Sequence, residues 1–123
     1  MKRGFVDAKT RDELIIVVEC NTLPYFSLTP YIDRGFLERK HKRDALEAEC
    51  CAIHKALESI KGNFILYSDR KDIVDYLNGE VRMDSKIEKK LVKCIEEIHE
   101  LSKNRTVVFK YIPRECNPAT KEE

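Results

Sequence analysis

The spacing of apolar positions changes near residue 44. Before it, apolar residues come in short runs. Gly4 to Asp7 is a short predicted strand, and Leu14 to Cys20 (LIIVVEC) is a stronger one. The β-branched run of the second fits a strand buried on both faces. Tyr25 to Ile32 (YFSLTPYI) is a third, and Pro24 and Pro30 confine it to a sheet edge. Three strands so close in sequence predict an antiparallel meander. From Asp44 on, apolar positions recur every three or four residues. Asp44 to Ile60 is a predicted helix, with Asp44 as N-cap, Glu47 completing a capping box and Gly62 closing it. A strand is predicted for Asn63 to Asp69, then a short helix over Arg70 to Asn78 ended by Gly79. Ser85 to Lys103 is a long amphipathic helix with Ile87, Leu91, Cys94, Ile95, Ile98 and Leu101 on one side. Ser85 and Glu88 read as a second capping box. Thr106 to Ile112 is the last strand, stopped by Pro113.

The order β-β-β-α-β-α-α-β predicts an α/β fold: a mixed sheet whose first three strands are antiparallel and whose later strands are parallel and covered by helices. At 123 residues the expectation is a single domain over 1–123 with one core. There is no internal repeat or low-complexity segment. A net charge of +1 argues against bulk electrostatic capture of nucleic acid, but leaves room for a local basic patch. The five cysteines (Cys20, Cys50, Cys51, Cys94, Cys116) form no C-x-x-C pair, so reduced thiols are expected rather than zinc or a disulfide framework. The first residues carry no apolar signal core, and no run of about 18 apolar residues exists. A soluble, unexported, cytoplasmic protein with no membrane partner is the expectation.

One acid breaks the pattern of the first long helix. At about 100° per residue, Leu46, Cys50, Ile53, Leu57 and Ile60 form one stripe, and Ala45, Ala52 and Ala56 form a second beside it. Glu49 falls between them, whereas Glu47 and Glu58 fall on the opposite side. A carboxylate turned toward a sheet is costly unless it is paired or binds a cation. Taken singly, Glu49 reads equally as a partner for a lysine or arginine, Asp69 as an N-cap and Asp7 as a turn residue. Taken together they read differently. If the first and fourth strands lie side by side and parallel, Asp7 and Asp69 become neighbours and Glu49 faces the same point. Three converging carboxylates suit Mg²⁺ or Mn²⁺, and two such ions about 4 Å apart can clamp a phosphodiester.

This arrangement resembles the ribonuclease H family, more closely its archaeal and plant-like branch. The resemblance rests on Phe5-Val6-Asp7, on Ala48-Glu49 followed by Ala52, Ile53, Ala56 and Leu57, on LYSDRKDIVDYLNGE, and on VVFKYIPRECNPA. It covers nearly the whole chain and is specific from residue 44 onward. It implies a five-stranded mixed sheet with helices on both faces. It also implies Asp7, Glu49 and Asp69 as catalytic metal ligands for two Mg²⁺ or Mn²⁺ ions, and endonucleolytic hydrolysis of the RNA strand of RNA–DNA hybrids. The family's fourth acid follows Arg-Glu-x-Asn-x-x-Ala; here Thr120 stands in the alanine place and Lys121 in the acid's. A one-residue slip would bring Glu122 to the metal instead. The family's Gly-Ser after the first Asp is Ala8-Lys9, the Asn pair before the helix acid is Ala45-Leu46, and the Ser after the third Asp is Arg70. These departures leave a second reading, a ribonuclease H-like module that binds or assembles without cutting, and a third, a related nuclease acting on DNA.

Expected nucleic-acid contacts are Arg70, Arg114, Asn117, and Lys42 and Arg43 in the basic stretch Arg39-Lys40-His41-Lys42-Arg43. The same stretch also reads as a solvated loop, and Arg70 and Lys71 as surface charges. Tyr25, Phe26, Tyr31 and Phe36 read as edge packing or a protein contact before base stacking. His41, His54 and His99 show no ligand spacing, and His54 and Cys51 fall on the polar side of their helix.

Overall fold

The computed structural model describes residues 2–8, 14–20, 27–33 and 45–121. Five strands form one sheet: β1 (Lys2–Ala8), β2 (Leu14–Cys20), β3 (Ser27–Asp33), β4 (Phe64–Ser68) and β5 (Val107–Tyr111), in the order β3-β2-β1-β4-β5. β2 pairs antiparallel with both β1 and β3, while β4 pairs parallel with both β1 and β5. The long connections are helical: α1 (Ala45–Ser59) between β3 and β4, then α2 (Lys71–Leu77) and α3 (Ser85–Ser102) between β4 and β5. Parallel neighbours need such crossovers. After β5 come a 3₁₀ turn (Arg114–Cys116) and a short α4 (Pro118–Lys121), neither of which the sequence pattern announces.

The main core lies between α1, α2, α3 and one face of the sheet. Val6, Phe64 and Leu66 meet Ile53, Leu57, Ile73, Leu91 and Ile98, all buried. Each such side chain contributes roughly 1.5–3 kcal/mol of burial. Gly4 leaves room on β1 for the side chains of Ile60 and Leu66. A Cβ there would stand 2.8 Å from Ile60 Cδ1 and 3.1 Å from Leu66 Cδ1. On the opposite face, Phe5 stacks on Tyr67 with ring centroids 5.1 Å apart, and Ala119 of α4 packs against them. Helices therefore lie on both faces, but one face holds three and the other, among the described residues, only the short α4.

Three local readings change. Asp84, not Ser85, caps α3: its carboxylate accepts from the Lys86 amide at 2.9 Å, and Ser85 is the first helical residue. An aspartate caps as well as a serine and adds favourable charge at the helix start. Glu88 is left to accept from the Tyr76 hydroxyl at 3.5 Å. His54 is half-buried rather than on the surface: Nδ1 is 3.4 Å from Glu58 and Nε2 is 3.1 Å from Glu97, which links α1 to α3. Cys51 likewise packs against the core. The wheel shows α1's polar side but not that α3 covers part of it. Cys94 hydrogen-bonds to Cys50 in this packing, which together with burial pushes its thiol up to about 12. Among the described residues, Cys50, Cys51, Cys94 and Cys116 form no disulfide. No helix among the described residues is long and apolar enough to cross a membrane. The expected cap at Asp44, the basic stretch 39–43 and Tyr25, Phe26 and Phe36 lie outside the described residues, as does the side chain of Tyr31.

Arg105 is an anchor that periodicity does not reveal. Its Nε donates to Leu101 O at 2.9 Å and Nη1 to Ile60 O at 2.5 Å, and Nη2 donates to Leu57 O. One guanidinium thus satisfies terminal carbonyls of both α1 and α3, while its charge sits over the Phe64 ring at 5.5 Å. Nearby, Gly62 takes the left-handed conformation (φ 79°) that turns the chain from α1 into β4. Arg105→Met should lower stability by about 2–4 kcal/mol, since several charge-assisted bonds vanish and carbonyls lose their donor. Equilibrium urea unfolding would show this as a lower midpoint with an unchanged slope.

Candidate active site

The register between β1 and β4 places the first two acids. Val6 pairs with Ser68 in the parallel ladder, so Asp7, the next residue of β1, comes beside Asp69, which directly follows β4. β4 ends at Ser68 and α2 begins at Lys71 with Arg70 as its N-cap residue, so Asp69 does not cap the helix. The cap reading of Asp69 is thereby replaced. Asp72 accepts from the Ile73 amide in the helix's first turn instead.

Glu49 arrives from α1, with its side chain 2% exposed, where the two apolar stripes meet. It is held by Ser68, whose Oγ donates to Glu49 Oε1 at 2.8 Å and accepts the Arg70 amide at 3.1 Å. Glu49 also acts on the neighbouring Arg70 guanidinium, so a hydroxyl and a cation both favour a charged glutamate there. One oxygen from each of Asp7, Glu49 and Asp69 lies within 4.8 Å of the other two. Asp7 is 7% exposed. Burial, and next the charge of Asp7, raises the Asp69 carboxyl above its usual 3.8; Asn117, Arg114 and Thr120 pull in the opposite direction. All three donors are carboxylate oxygens, with no imidazole or thiolate among them. That set fits a hard divalent cation such as Mg²⁺ or Mn²⁺.

The final turn shapes the other wall and corrects two expectations. Asn117 does not face nucleic acid. It is 0% exposed, its Nδ2 donates to Val6 O at 3.0 Å, and its Oδ1 accepts from the Ala119 amide at 3.1 Å. Both ends of the amide are engaged inside the protein, which makes it a tie between the C-terminal turn and β1. The second concerns Thr120. The side chain delivered to the acids is Thr120: Oγ1 donates to Asp7 Oδ2 at 3.0 Å and lies 3.4 Å from Asp69 Oδ2. Ala119 is fully buried against Phe5, which turns the neighbouring Thr120 toward the acids. Glu122 lies outside the described residues, as do Lys42 and Arg43.

The remaining basic residues differ in what they can offer. Arg114 is exposed at the start of the 3₁₀ turn, close enough to Asp69 to favour its charged form. Arg70 folds its guanidinium onto Asp72, with Nε–Oδ1 3.2 Å and Nη2–Oδ2 2.9 Å, although Glu49 and Asp69 also act on it. Lys71 pairs with Asp75 at 2.6 Å. Ser68 and Thr120 are the residues that sequence reasoning missed. The only signal for Ser68 is its place before Asp69, and no local pattern singles out Thr120.

The raised Asp69 carboxyl has a sign that can be tested. The folded chain holds that proton more tightly than the unfolded chain does. The group's contribution to stability is therefore complete below pH 3.8 and is lost as pH rises through the window above it. Asp69→Asn keeps an acceptor for Thr120 and removes the charge. Without divalent cations, its melting temperature at pH 7 should exceed that of the wild type, and the difference should close toward pH 3.8. Thermal unfolding in chelator across this pH range checks it.

Comparison with known proteins places this geometry in a lineage. The model of the family described as reverse transcriptase-like matches residues 35–121. No curated protein matches by sequence. Among solved structures, the chain is similar to RNase H1 from the halophilic archaeon Halobacterium salinarum NRC-1, with a TM-score of 0.74 and 14% identity over 98% of this chain and 92% of that one. It is also similar to LC11-RNase H1 in complex with an RNA/DNA hybrid (TM-score 0.67, 18% identity, 99% and 92% covered). A third is the N-terminal RNase H domain of rv2228c from Mycobacterium tuberculosis (0.66, 12%, 95% and 86%). At such identities the likeness establishes the ribonuclease H-like fold, while the family model spans well over half of the sequence. The chain belongs to the reverse transcriptase-like family and is built on the ribonuclease H-like α/β fold.

Proposed function

We propose that this protein is a divalent-metal-dependent endonuclease that hydrolyses the RNA strand of RNA–DNA hybrids. The observation that carries this reading is the meeting of Asp7, Glu49 and Asp69 within 4.8 Å. A second support is the similarity to an RNase H1 solved with an RNA/DNA hybrid. Asp7, Glu49 and Asp69 would hold a pair of Mg²⁺ or Mn²⁺ ions, which would supply an activated water and stabilise the leaving oxygen. The chain's own residues prepare that chemistry. Ser68 orients Glu49, the β1–β4 register sets Asp7 beside Asp69, and exposed Arg114 stands next to Asp69 where it can steady a phosphate.

Among the described residues, a neutral hydroxyl rather than a fourth acid reaches Asp7 and Asp69. That favours, as a second reading, a module that binds nucleic acid without cutting it. The two readings part in a cleavage assay with Mg²⁺ and Mn²⁺ on hybrid, duplex RNA, duplex DNA and single strands. The nuclease reading predicts cleavage of the hybrid's RNA strand that stops with chelator. Asp69→Asn should reduce it by more than about 100-fold, beyond the usual loss from a residue that only supports a ligand. Hybrid binding without cleavage under either ion would leave the binding module standing.

A separate check needs no substrate. Mn²⁺ should raise the melting temperature of the wild type by preferential binding to the folded chain. The same addition should leave Glu49→Gln and Asp69→Asn nearly unmoved. An equal rise in all three would place the cation elsewhere.

A further inference from the structure

Thr120 stands at the end of a short chain of bonds that begins next to Asp7. Val6 O accepts from Asn117 Nδ2, Asn117 Oδ1 accepts from the Ala119 amide, and the Thr120 amide donates to Asn117 O at 3.1 Å. Asn117 and Ala119 are fully buried, so the backbone carrying Thr120 is fixed relative to β1. The hydroxyl then meets Oδ2 of both aspartates, at 3.0 and 3.4 Å. A hydroxyl carries one proton, so Asp7 takes the better bond and Asp69 shares it. Glu49, the third acid, has its own hydroxyl donor in Ser68.

We infer that Thr120 is a positioning residue: its hydroxyl holds Asp7 and Asp69 side by side, in the arrangement that receives a divalent cation. The inference rests on the metal reading above. Each aspartate meets the hydroxyl through Oδ2, and a carboxylate has about four lone-pair sites, so acceptor capacity for a cation is left on each. Without this donor the two like charges would turn apart, and a cation would have to gather them at the expense of its own binding energy. A neutral donor does this without competing as a lysine would, because it brings no positive charge to the cation's place.

Two substitutions separate the hydroxyl from the shape of the side chain. Thr120→Val keeps the branched form and removes the donor; Thr120→Ser keeps the donor and removes the methyl. Thr120 is only partly buried in the final short helix, outside the two buried clusters, so neither change empties the core. Calorimetric titration with Mn²⁺ alone at pH 7 reads the effect. Thr120→Val should bind about tenfold more weakly, the scale of one charge-assisted hydrogen bond, and Thr120→Ser should stay within about twofold of the wild type. Equal affinity of the Val variant and the wild type would overturn the role of Thr120 while leaving the metal site intact. A Ser variant as weak as the Val variant would overturn it too, since the methyl would then be what matters. Mn²⁺ uptake by none of the three chains would overturn the metal reading itself, and this inference with it.

Discussion

Mutual repulsion of three carboxylates is the constraint around which this molecule is arranged. Asp7, Glu49 and Asp69 each bring an oxygen within 4.8 Å of the others. Two unit charges 4 Å apart repel by about 4 kcal/mol at an effective dielectric near 20. That exceeds the roughly 1.5–3 kcal/mol of a single hydrogen bond to a charged group, so no one donor can hold such a cluster. The protein uses several. Ser68 bonds Glu49, Thr120 bonds Asp7 and approaches Asp69, and Asn117 and Arg114 also favour the charged form of Asp69. Even so, the Asp69 carboxyl remains raised. The remainder is what a divalent cation would neutralise.

The scaffold makes that proximity rigid. Parallel pairing of β1 with β4 fixes Asp7 beside Asp69, and α1, packed on the same core, brings buried Glu49 to the same corner. At the opposite end of the sheet, Arg105 ties α1 and α3 together and rests over Phe64 at the start of β4. Asn117, a residue that reads as a nucleic-acid contact in the linear sequence, instead fastens the last turn to β1. Among the described residues, the site is therefore carried by strands and a long helix, with the short C-terminal turn against it.

Much of this was legible beforehand. The 3.6-residue spacing of α1 marked Glu49 as facing inward, because a helix wheel needs only local geometry. The strand ending in Ser68-Asp69 was visible for the same reason, as was the amphipathic α3. The caps were less so. Asp84 and Ser85 are both good caps and adjacent, and periodicity does not separate neighbours. His54 and Cys51 were misjudged because a wheel assigns one buried arc. α1 has two, one against the sheet and one against α3.

What the sequence by itself determined is local: which segments are helix or strand, and which acids are out of place among apolar neighbours. Backbone sterics and side-chain periodicity act over a few residues, so these properties survive in the linear chain. What only the tertiary structure decided is long-range. It brought the Thr120 hydroxyl to the aspartates, assigned Asn117 to the interior, and freed Asp69 from a capping role. Each depends on register between segments distant in sequence, where a shift of one residue turns a side chain to a different face, and no local preference encodes such a shift.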